Sequence, residues 1–257
     1  MSFETFFGSN GFNFYQLVTP YKGSKKFLLY YRIIIFVILC YGLYTSIYAY
    51  ENPNPEETKR HQRKVYFAFF TNQTYFMIMI YFLGAIFLHI KDNNGTLKGR
   101  VSNSIIHTLI HIFYNMVFPL ACIVTLIFCG VMLPNLQTYY YTFTHYAQQV
   151  IQHVLQSVFL LIDWFLITVP SKATHFIPTF TIGVCYLIFV QVYHSIYDHW
   201  IYKFLSTSNN GWYYMYIGVI AFWTIFGLIF SFIQNFKNRN RRYVSDVDST
   251  KMKFSEV

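Results

Sequence analysis

A chain of 257 residues in which 55% are hydrophobic, 22% aromatic and only 11% charged lacks the polar surface that a water-soluble domain of this length must carry, and it reads as an integral membrane protein. The net charge of +9 would suit a nucleic-acid binder. The basic residues are scattered at the ends of apolar stretches, however, without forming a patch interleaved with aromatics, which argues against nucleic acid and for anionic lipid headgroups.

Residues 1–26 form an N-terminal segment without the basic patch and apolar core of a cleavable signal, and without the arginines of a transit peptide. Six apolar stretches follow, at 27–49, 65–90, 104–134, 148–169, 176–198 and 212–236, each fitting the roughly 20 residues that a spanning helix needs. They predict an all-α fold, a polytopic membrane protein with six transmembrane helices in one bundle over residues 27–236. The third stretch is long, with a tilt as one expectation and a break near Pro119 as the other. The loop at 51–64 is the longest charged connection, and the polar residues 237–257 read as a disordered tail.

Lys22, Lys25, Lys26, Lys91, Lys98, Arg100, Lys172 and the basic residues of 237–242 flank one side, against Lys59, Arg60, Arg63, Lys64 and Lys203 on the other. The positive-inside rule then puts both termini on the inner side. Two sequons, at Asn72 and Asn94, fall at membrane depth and on the inner side in this topology, so neither should carry glycan. Tyrosines at span ends, such as Tyr139–Tyr141 and Trp212–Tyr214, are anchors at the headgroup level. Cys40, Cys122, Cys129 and Cys185 lie inside the spans without CxxC spacing and read as packing residues.

Polar residues inside these stretches carry the functional signal, because an ionisable group at bilayer depth is costly. Counted from the expected boundaries, Thr71 is six residues into the second span and His153 five into the fourth, which puts both about 8 to 9 Å below the outer boundary. Gln149, His153, Gln156 and Asp163 follow at helical offsets along one face, and Gln191, His194 and Asp198 do the same on the fifth span. Gln149, Gln191 and Thr74 are read as interhelical hydrogen-bonding groups; His153 and Asp163, being ionisable, are read as functional. His107 and His111 have the HxxxH spacing of one helix face, with His89 and His175 on the same side. These are too few for a membrane di-iron site and pair wrongly for a two-haem cytochrome, so neither metal nor other cofactor is expected. No GxSxG, Walker or HExxH motif is present.

Phe-Phe-Thr-Asn-Gln-Thr at 69–74, Phe118-Pro119, His153 followed by Asp163, Tyr186 and the segment Trp200–Leu205 together resemble the androgen-induced protein family of membrane threonine hydrolases. That family includes the androgen-dependent TFPI-regulating proteins, and the stretch from His153 to Asp163 with Pro170 and His175 is closest to the related rolling stone proteins. The resemblance spans roughly residues 65 to 236. It implies cleavage of fatty acid esters of hydroxy fatty acids, with the catalytic threonine and histidine at Thr71 and His153; the hydrolases carry Glu at the position of Asp163 and a further histidine at that of Val150. In this reading His153 takes the proton of Thr71 as the hydroxyl attacks an ester carbonyl. Asn72 is the expected oxyanion donor, with Asp163 in a buried hydrogen-bond network or on a proton or water path, and His194 and Asp198 in support. Membrane lipids and a lipid ester are the expected partners. The competing class is a non-catalytic scaffold: an accessory subunit with partners in a membrane complex, or an adhesion and fusion factor. The endoplasmic reticulum is the expected membrane, with the mitochondrial inner membrane as the alternative.

Overall fold

The structure is a computed structural model that describes residues 2–51, 63–92, 105–133 and 142–254. Most of the 51–64 loop, the Asn94 sequon, Lys98, Arg100 and Tyr139–Tyr141 lie outside the described residues. Every regular element among the described residues is helical. Short helices α1 (Phe3–Phe7) and α2 (Phe14–Val18) precede the long helices α3 (Lys25–Glu51), α4 (Phe70–Lys91) and α5 (Ile105–Ile127). Then come α6 (Phe143–Val150), α7 (Gln156–Leu166), α8 (Phe176–Tyr197) and α9 (Trp212–Phe254). A π-helical turn at Ile151–Leu155 joins α6 and α7 into one rod, so that six apolar helices are long enough to cross a membrane.

The distribution of side chains is that of a bundle in hydrocarbon. Large apolar residues such as Ile34, Leu83, Phe87, Ile105 and Phe232 are exposed on the outside, whereas Arg32, His111, Gln152, Gln156 and Asp163 are buried within. Lipid tails solvate the outer faces as well as protein would, so packing and internal hydrogen bonds hold the helices together. The strongest of these bonds was not anticipated from sequence. Arg32 on α3, with no exposed side-chain surface, donates from Nε to Asp163 Oδ1 at 2.7 Å and from Nη2 to Oδ2 at 3.1 Å. Its Nη1 donates to the Leu17 carbonyl at 2.7 Å, and the Tyr81 hydroxyl of α4 donates to the same carboxylate. A bidentate pair with its remaining valences filled is what a buried charge requires.

Between α7 and α8 the backbone at 167–172 is not helical, and several carbonyls of this stretch and of the last turn of α7 find partners inside the protein. Tyr21 N–H donates to Leu166 O at 2.6 Å, Lys237 Nζ to Trp164 O at 2.6 Å and Ile167 O at 3.1 Å, and Gln234 and Asn238 both to Val169 O at 2.5 Å. His111 Nε2 donates to Pro170 O at 2.8 Å, while its Nδ1 accepts from Ser9 Oγ at 3.1 Å. Both ring nitrogens are therefore committed, and His111 serves as a structural clamp. Phe12 stacks flat on it at 4.6 Å, so the N-terminal segment folds under this end of the bundle as part of the core.

Three expectations are corrected. The third span runs unbroken through Pro119 and changes only at Phe128–Met132, where it becomes π-helical. The residues from 237, read as a disordered tail, continue α9 to Phe254; residues 237–254 contain neither Gly nor Pro to stop a helix. The second and fourth spans are also displaced. Arg63–Ala68 winds as a 3-10 segment ahead of α4, and the fourth rod begins at Phe143. Thr71 is thus in the first turn of its helix and His153 ten residues into its own, so equal counts from the boundary do not describe their depth.

Replacing Asp163 by Leu strands a buried guanidinium and should lower stability by about 3–5 kcal/mol. The double variant Arg32→Met with Asp163→Leu should recover most of that loss. SDS-titration unfolding of both variants in mixed micelles measures the coupling; strictly additive losses would contradict the pairing.

Candidate active site

A small pocket of about 40 Å³ lies where α4, α5, α8, α9 and the fourth rod converge, and both Thr71 and His153 line it. Most of its wall is apolar, including Phe70, Val124, Phe128, Leu187, Leu205 and Val219. Its polar groups are Thr71, His153, Tyr186, Tyr202 and the indole of Trp223; among the described residues no Asp, Glu, Lys or Arg borders it. An apolar wall with a few polar groups is the character of a site for an apolar ligand.

His153 sits in the π-helical turn Ile151–Leu155. A π turn shifts the ladder from its usual partners, and here the Gln149 carbonyl accepts from His153 Nδ1 at 3.1 Å. A carbonyl can only accept, so Nδ1 carries the proton and Nε2 keeps its lone pair. The ring is held from a second side by Phe128, stacked at 4.3 Å and 21° from the other π-helical turn, and the His153 carbonyl accepts from the Thr125 hydroxyl. Gly42 lets α3 approach this turn: a Cβ there would fall 2.5 Å from Ile151 Cγ2 and 2.3 Å from Tyr75 Oη.

Thr71 occupies the first turn of α4 because the chain bends sharply before it. Asn72 Nδ2 donates to Tyr66 O at 2.7 Å and Gln73 Nε2 to Phe67 O at 2.8 Å, pinning the 3-10 segment to the helix start. The connection from α8 to α9 then folds inward, so that Tyr202, Phe204 and Leu205 cover the pocket. It is fastened by the Tyr216 hydroxyl donating to Leu205 O at 2.9 Å, and by Gln191, which donates to Tyr216 as the interhelical bond expected of it. Burial raises the Tyr202 phenol above its usual range, opposed by the Thr71 hydroxyl and by the backbone amides of Thr71 and Phe70.

The other sequence candidates stand elsewhere. Asn72, the expected oxyanion donor, is not among the residues that border the pocket, and its amide donates to Tyr66 O. Asp163 belongs to the Arg32 network. His194 stacks on Trp200 at 3.9 Å, and Asp198 is the exposed left-handed residue that ends α8; neither lines the pocket. Thr74 is buried with its hydroxyl unpartnered, and Gln149 donates to its neighbour Gln148, so neither makes the interhelical bond expected. Of the histidines weighed as ligands, His111 and His175 meet ring to ring at 4.7 Å. No group of three His, Cys, Asp or Glu placed to hold a metal occurs among the described residues.

Sequence reasoning missed Arg32, Phe128 and Trp223. Arg32 could have been found, because it is an ionisable residue inside an apolar run just as Asp163 is. Phe128 and Trp223 are aromatic residues in a chain that is 22% aromatic, and nothing in their local pattern separates them.

A long-chain lipid should copurify with the wild type and be depleted in Val219→Phe, which fills the pocket without touching Thr71 or His153. Native mass spectrometry reads the occupancy, and equal occupancy in the two proteins would place lipid binding elsewhere.

In comparisons with known proteins, no family model, no curated protein and no solved structure matches this chain. The functional reading therefore rests on the residues quoted above and on the geometry of this pocket.

Proposed function

We propose that this protein is an intramembrane threonine hydrolase that cleaves long-chain lipid esters, with Thr71 as nucleophile and His153 as its base. The observation that carries this reading is that Thr71 and His153 border the same apolar pocket while the Nδ1 bond of His153 keeps Nε2 as a proton acceptor. A threonine hydroxyl is a weak nucleophile without such a base. In the reaction, Oγ1 of Thr71 bonds to the ester carbonyl carbon as its proton passes to Nε2. The tetrahedral adduct collapses, the C–O bond to the alcohol breaks, and the alkoxide takes that proton back. Water, deprotonated by the same imidazole, then releases the acyl group and restores Thr71.

The lining favours a neutral ester flanked by acyl chain, since among the described residues no Lys or Arg borders the pocket to hold a phosphate. Fatty acid esters of hydroxy fatty acids, implied by the family resemblance, are the first substrates to try. The distribution of basic residues supports placing both termini on the inner side, with the Thr71 end of the bundle toward the outer or lumenal leaflet. The endoplasmic reticulum is the membrane proposed.

The test is hydrolysis of long-chain esters by detergent-purified protein, with a fluorophosphonate probe read in parallel. Thr71→Ala should lose labelling and turnover, His153→Ala should lose roughly 10²–10⁴-fold in kcat, and Thr71→Ser should retain activity. A folded wild type that neither labels nor turns over would leave the scaffold as the better reading.

A further inference from the structure

If Thr71 attacks an ester, negative charge develops on the carbonyl oxygen, and a dry pocket must supply hydrogen-bond donors already aimed at it. The donors that border this pocket are few. Tyr186 is spent, its hydroxyl donating to Ala68 O at 2.9 Å. Thr71 and His153 are consumed by the attack itself. What is left is Trp223, 3% exposed, whose Nε1–H has no acceptor among the described residues, and the hydroxyl of Tyr202, which lines the pocket with Thr71. A buried indole N–H ordinarily finds a partner.

We propose that Trp223 Nε1–H, assisted by the Tyr202 hydroxyl, forms the oxyanion hole of this site; the proposal rests on the threonine hydrolase reading. As Thr71 Oγ1 bonds to the carbonyl carbon, the π electrons of the carbonyl move onto its oxygen, and the indole and phenol donate to that oxygen. Both groups keep their protons throughout. When the adduct collapses, the C=O double bond re-forms and the alcohol leaves with the proton held by His153.

The indole is fixed in place, as a preorganised donor must be. A Cβ on Gly183 would lie 3.0 Å from both Cγ and Cδ2 of Trp223, so the absence of a side chain there lets the ring lie against α8. Phe70, the residue before the nucleophile, meets the indole edge to face at 5.3 Å and 83°, and Phe69 meets Tyr202 in the same manner at 5.7 Å and 76°. The two donors thus pack against the two residues that precede Thr71.

Trp223→Phe keeps the aromatic filling and removes only the donor. Its kcat for a long-chain ester should fall about 10²–10³-fold with KM within about threefold, because the interaction is made in the transition state. A long-chain trifluoromethyl ketone, which forms an anionic hemiketal with Thr71, should bind more weakly by a similar factor. In the wild type, that adduct should move the indole proton resonance of Trp223 downfield. Gly183→Ala, which pushes the ring, should also lower kcat with KM kept, and it covers the case in which Trp223→Phe fails to fold. An active wild type with a Trp223→Phe kcat within threefold, or with no shift of the indole resonance on adduct formation, overturns the oxyanion assignment alone. An inert wild type overturns the hydrolase reading beneath it.

Discussion

Arg32 and Asp163 are opposite charges with almost no exposed surface in spans where every uncompensated charge is costly, and their pairing sets the register of the helices that build the pocket. Once Nε and Nη2 are fixed on the carboxylate, α3 cannot slide or rotate against the fourth rod. Tyr81 brings α4 to the same carboxylate. Thr71 is ten residues before Tyr81 on α4, and His153 ten residues before Asp163 on the rod, each about 15 Å along its helix. The two helices that carry Thr71 and His153 are therefore clamped at one level, and the clamp determines how they face each other at the other. Asp163 acts on the site by positioning helices, with no contact to the pocket.

The π-helical turns do at short range what the ion pair does at long range. At the π-helical turn Ile151–Leu155 the Gln149 carbonyl accepts from His153 Nδ1, and with it the tautomer is set. The second π turn, Phe128–Met132, supplies the ring that stacks on the imidazole. Two local irregularities on adjacent helices meet at one side chain, which is where π turns are most often found to matter. The 198–211 connection lends Phe204 and Leu205 to the apolar wall of the pocket.

Much of this was legible in the chain. The six spans followed from apolar length, and Thr71 and His153 stood out because polar groups are rare at that depth. The resemblance pointed to the same two residues and to Trp200–Leu205, part of which covers the pocket. The boundaries were less legible, because Val65–Phe69 is as apolar as a helix start yet winds as a 3-10 turn and a bend held by Asn72 and Gln73. Side-chain amides capping a turn leave no mark on hydropathy. The partner of Asp163 was readable in principle, as Arg32 is the basic residue inside the first span. The roles of Phe128 and Trp223 were not, because they arise from helices brought together only by folding.

The central claim, that Thr71 is a nucleophile acylated during turnover, is tested most directly by rapid acid quench of the purified protein with p-nitrophenyl palmitate, followed by peptide mass spectrometry. The account predicts a palmitoyl group on the peptide holding Thr71, accumulating in the wild type and absent from Thr71→Ala. Hydrolysis that proceeds without an acyl group on Thr71, or with the acyl group on another residue, would contradict it.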